Sequence, residues 1–70
     1  MPRKVDQPLT FMAMELDDSA KVICEPGGKG EEWFLEVRGV RLLNLGRSRE
    51  EAERALNKLI LASREGGPGR

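Results

Sequence analysis

The sequence predicts an α+β domain in which a four-stranded antiparallel meander, order 1-2-3-4, carries one C-terminal helix packed on one face (ββββα). Three observations predict it: a capped amphipathic segment near the C-terminus, short apolar runs upstream divided by turn residues, and a length of 70 residues, enough for one domain. The domain is expected over residues 9–65, between a flexible segment at 1–8 with two prolines and a flexible tail at 66–70 that reads Gly-Gly-Pro-Gly-Arg.

The first strand is expected over 9–16, an apolar run that Asp17-Asp18-Ser19 ends with residues tolerant of tight backbone angles. The second covers 20–25 and the third 32–37, joined through Pro26-Gly27-Gly28-Lys29-Gly30-Glu31. The fourth covers 40–45, after a two-residue hairpin turn at Arg38-Gly39. Connections this short make sequential strands antiparallel neighbours, because they cannot carry the chain past an intervening strand. The helix is expected over 49–64. Ser48 and Glu51 form a Ser-x-x-Glu capping box, and Glu50 and Glu51 suit the positive end of the helix dipole. Ala52, Ala55, Leu56, Leu59, Ile60 and Ser63 recur at helical spacing, and Gly66 and Gly67 supply the stop.

Register follows from the turns. Val37 should face Val40, Leu35 face Leu42 and Trp33 face Asn44, while pairing Glu25 with Glu32 sets Val22 beside Leu35 and Cys24 beside Trp33. Pairing Leu16 with Lys21 adds Phe11 and Ala13 to the same side, the one the helix stripe is expected to cover. The opposite side should carry an apolar row of Met14, Ile23, Phe34 and Leu43, with Met12 and Leu45 nearby. Beside it runs a second row of Leu16, Lys21, Glu36 and Arg41, whose charges alternate in sign. With one helix to cover two faces, that apolar row is expected to lie open and to mark an interaction surface.

Composition narrows the function classes. Twelve basic and 12 acidic side chains cancel, so no whole-molecule field draws the chain to nucleic acid or to an anionic membrane. At this size only about 60% of the unfolded surface is buried on folding, so the core is thin. One cysteine and no histidine give neither an internal disulfide nor a ligand set for structural zinc, leaving association as the remaining source of support. The run from Phe11 to Met14 is too short for a signal-peptide core or a membrane span, which reads as a cytoplasmic protein.

Residue types capable of chemistry have simpler explanations. Cys24 has no histidine to activate it and is expected to point into the core as a small apolar group. Gly27-Gly28-Lys29-Gly30 lacks the Ser or Thr of a phosphate loop and leads into a strand, so it reads as a hairpin loop. Glu15, Asp17 and Asp18 lack calcium-loop spacing. Glu31, Glu32 and Glu36 read as solvated charge, and Trp33 as a packing anchor. No catalytic residue, metal, cofactor or small-molecule ligand is expected.

Residues 21–60, with a hairpin, then Gly46-Arg47-Ser48-Arg49-Glu50-Glu51-Ala52 and an amphipathic helix, resemble two families. One is the HicB-like antitoxin domain, a sheet-and-helix module that binds a small toxin. The other is the arm-binding domain of tyrosine recombinases, whose three-stranded sheet enters the DNA major groove. The chain lacks the proline-rich loop common in the first and the basic sheet surface of the second, so no site residue is carried over.

The expected function is therefore a non-catalytic binding or regulatory module that acts through protein–protein contact, as a homodimer or with a larger partner. Met14, Ile23, Phe34, Leu43, Lys21, Glu36 and Arg41 are its expected partner-binding residues. A phage or mobile-element inhibitor, an antitoxin-like binder and an accessory subunit all fit that description. The alternative is nucleic-acid binding through the sheet or the basic side of the helix, with Arg38, Arg41, Arg47, Arg49, Arg54 and Lys58 as the contacts. Glu25, Glu32 and Glu36 oppose it on the sheet.

Overall fold

A computed structural model describes residues 3–65. Four strands lie antiparallel in the order β1-β2-β3-β4 in one open sheet, with a C-terminal helix packed on one face. The strands are β1 (Lys4–Val5), β2 (Ala20–Gly27), β3 (Gly30–Val37) and β4 (Val40–Gly46), and the helices are α1 (Gln7–Ala13) and α2 (Arg49–Glu65). From residue 20 onward each element falls within two residues of its expected place. The tail at 66–70 lies outside the described residues.

The N-terminal part differs. The run expected as the first strand is helical from Gln7 to Ala13, and Lys4–Val5, expected within a flexible segment, pairs with Cys24 and Ile23 as the edge strand. Three features make the helix. The Asp6 carboxylate accepts from the Leu9 amide at 3.0 Å, Pro8 sits where a missing N–H costs nothing, and Leu9, Thr10 and Ala13 are buried at one helical face. The Asp6 amide then donates to the Val22 carbonyl at 2.9 Å, and the Thr10 hydroxyl accepts from the Val22 amide at 3.0 Å. Both backbone groups of Val22 are thus satisfied by the N-terminal segment, which ties α1 to β2.

Two helices therefore share the covered face, α1 over β2 and α2 beside it against β3 and β4. Arg49 at the start of α2 pairs with Asp6 at 2.8 Å, and Arg64 near its end pairs with Glu15 at 2.5 Å, so the helices run in the same direction. Leu9, Val22, Trp33, Leu35, Leu45, Leu56 and Ile60 fill the core between. The Ser48 hydroxyl accepts from the Glu51 amide at 3.2 Å, and the Glu51 carboxylate reaches back one residue further than a capping box requires, accepting from the Arg47 amide at 2.8 Å. Gly46 makes the preceding turn at φ +146°, where an added Cβ would meet the Glu51 Cβ at 2.6 Å.

The β2–β3 register is the expected one, with Val22 opposite Leu35 and Cys24 opposite Trp33. Between β3 and β4 it holds at Val37↔Val40 and Glu36↔Arg41 and then slips twice. Leu35 faces Leu43 instead of Leu42, and Trp33 faces Gly46 instead of Asn44. These bulges turn Leu45 into the core, where it is buried.

Candidate protein interface

The open sheet face is sealed by charge. Ile23 and Phe34 face each other across β2 and β3 as expected, yet they are only 2% and 4% exposed. The Arg41 guanidinium lies over the Phe34 ring, 3.8 Å from its centroid, and also donates to Glu25 at 3.2 Å. Arg3 reaches Glu25 at 3.8 Å and makes an ion pair with Glu36, which is itself buried. Arg41 thus lies over Phe34, and the two arginines close on two glutamates of the same face. The long side chains cover apolar surface with their stems while their charged ends are satisfied laterally.

The expected apolar row does not form as one patch. Met14 caps the end of α1, half-exposed and away from the sheet, because residues 9–16 coil instead of extending. Leu43 falls on the helix side with Leu35, because of the bulge. Met12 and Leu16, expected near the open row, pack against the core, while Phe11, expected inside, is 66% exposed. Lys21 does stand on the open face opposite Glu36, and Glu36 opposite Arg41, with the alternating charges in place.

The six basic residues of the alternative reading are divided. Arg38 sits at the β3–β4 turn, at φ 57°, beside Gly39 at φ 82°, the positive pair that a two-residue type I′ turn requires. Arg41 and Arg49 are held in ion pairs within the fold. Arg47 flanks a shallow pocket at the glycine loop together with Lys29, Glu31 and Glu32, so cations and carboxylates share its wall. Arg54 and Lys58 are exposed on α2.

Cys24 is half-buried, and burial, then the nearby charge of Glu31, pushes its thiol up from the ordinary value, which favours the protonated, unreactive form. Among the described residues no group of three or more Asp, Glu or Cys is placed to hold a metal ion, and no helix is long and apolar enough to cross a membrane.

Val5, Phe11, Met14 and Leu61 are exposed singly on other elements, whereas β4 displays three large apolar side chains. Val40 and Leu42 are 57% and 56% exposed and Leu43 is 37% exposed, on a strand with no neighbour on its outer side among the described residues. Burial along β4 begins only at Leu45. The sequence placed Leu43 on the open face, whereas its pairing with Leu35 puts it on the helix side. It placed Val40 and Leu42, opposite Val37 and Leu35, on the side the helix stripe covers, whereas both are exposed. The last position in the sheet order was the available signal, since a terminal strand of a meander has a bare edge.

No protein-family model, curated protein or solved structure matches the chain.

Proposed function

We propose that the chain is a small, non-catalytic, cytoplasmic binding module that recruits a protein partner by strand addition along β4. One observation carries this reading: a seven-residue edge strand with no strand paired on its outer side among the described residues displays Val40, Leu42 and Leu43 to water. In strand addition the main chain supplies affinity and alternate side chains supply specificity. The sheet face itself is less suited, because a partner there would have to displace Arg41 from Phe34 and break the ion pairs of Arg3 and Arg41 with Glu25 and Glu36. The protonated state favoured for Cys24 supports the non-catalytic part of the reading.

The test is capture from the native host with wild-type, Leu42→Arg and Lys21→Glu chains, followed by mapping of amide shifts on the wild type with the captured protein. A partner lost with Leu42→Arg and kept with Lys21→Glu, with shifts concentrated at residues 40–45, is the expected result. Loss with Lys21→Glu alone would return the interface to the sheet face.

A further inference from the structure

We propose that the occupant of the β4 edge is a second copy of this chain, paired antiparallel about a twofold axis that passes between Leu42 and Leu43; this rests on β4 being the binding edge. The register is selected by which side of the sheet each residue occupies. Arg41 and Asn44 are on the open side, Arg41 over the Phe34 ring and Asn44 opposite Phe34 in the pairing. Val40, opposite Val37, and buried Leu45 are on the helix side. An axis between Leu42 and Leu43 sets Arg41 against Asn44 of the second copy and Val40 against Leu45 of the second copy, so each pair shares a side. A slip of one residue either way would set Arg41 against Leu43 or Leu45, on opposite sides of the sheet. In the matched register no like charges oppose, because Arg41 is the only ionised side chain in β4.

The shape of the edge points to the same occupant. The Leu45 end of β4 is covered and the Val40 end is bare. A twofold axis brings the covered end of one copy beside the bare end of the other, so each supplies what its partner lacks. Ala55 and Leu59 are half-buried on the flank of α2 turned away from Arg49 and Arg64, and thus away from α1. They provide apolar surface for the neighbouring Val40. The result is a continuous eight-stranded sheet made from two chains that each have a thin core.

The experiment is sedimentation velocity on the full chain over a broad concentration series, with isotope-filtered NOEs on a mixture of labelled and unlabelled protein. A reversible dimer with intermolecular NOEs from Leu42 to Leu43 and from Val40 to Leu45 is expected. Leu42→Arg, at an exposed position and checked for folding by circular dichroism, should raise the dimer Kd by at least about tenfold. Phe11→Lys, at an exposed residue on α1, should leave it unchanged. A monomer throughout, or a dimer whose NOEs lie elsewhere, overturns the inference. A monomer whose host partner is still lost with Leu42→Arg refutes the second copy alone, whereas indifference of both dimer and partner to Leu42→Arg refutes the β4 edge as well.

Discussion

The two edges of the sheet are built differently. At one, β1 is two residues long, is preceded by Arg3, and leads directly into a helix whose Leu9 and Ala13 are almost fully buried against the sheet. At the other, β4 is seven residues long, carries one charge, and leaves Val40, Leu42 and Leu43 in water. Natural sheets blunt their edges with short strands, charge, proline or a covering element, and the first edge uses three of these. The second has one charge, Arg41, which lies over Phe34 on the sheet face, and bulges that fall on its inner pairing with β3. The contrast teaches that the N-terminal segment is part of the fold, while the open edge is where binding is expected.

The largest effect that would test this contrast is on the closed side. Leu9→Ala removes a side chain that is 1% exposed and should cost about 2 to 5 kcal/mol by denaturant unfolding, as buried leucine truncations do. Leu42→Ala, on the open side, should stay within about 0.5 kcal/mol of wild type. Equal effects would mean that the edges do not differ as described. Thr10→Val keeps the shape of α1 but leaves the Val22 amide without its acceptor, a loss of about 1 to 3 kcal/mol in the same assay.

Asp6 gives a smaller effect with a pH signature. Burial raises its carboxyl pKa, but the Arg49 hydrogen bond, the Leu9 amide and the charge of Arg49 outweigh it, so the net shift is downward. A lowered folded value contributes stability that is fully present above about pH 4 and is lost as pH falls through the folded value. Asp6→Ala should cost about 1 kcal/mol near neutrality through the lost cap. Asp6→Asn keeps a capping side chain but should flatten the acid limb of the stability curve, and an unchanged acid limb would remove the carboxylate from the account.

Least in energy is the seal over the sheet face. Arg41→Ala should lower stability by about 0.5 to 1 kcal/mol, typical of an exposed cation–π pair, and should raise binding of an apolar dye as Phe34 becomes accessible. No dye response would show that the arginine does not shield the ring.

From residue 20 onward the architecture was legible because its signals are local. Arg38-Gly39 sets a hairpin, the glycine loop sets another, and Ser48 with Glu51 starts a helix. The segment at 9–16 was not, although Asp6 ahead of Pro8 and the spacing of Leu9, Ala13 and Leu16 were helix signals. Leu9, Phe11 and Ala13 fit a two-residue period equally well, and a seven-residue helix has little stability without packing to decide between them.

By itself, then, the sequence determined the order of β2, β3 and β4, the β2–β3 register and the C-terminal helix, because each depends on residues close together along the chain. Tertiary structure alone decided which apolar residues meet water. Phe34 lies beneath Arg41, which also meets Glu25, beside the pair of Arg3 with Glu36, and exposure of Leu42 depends on a bulge in the pairing with β3. Such contacts join residues distant in the chain, and side-chain placement leaves no periodic trace in the sequence that supplies it.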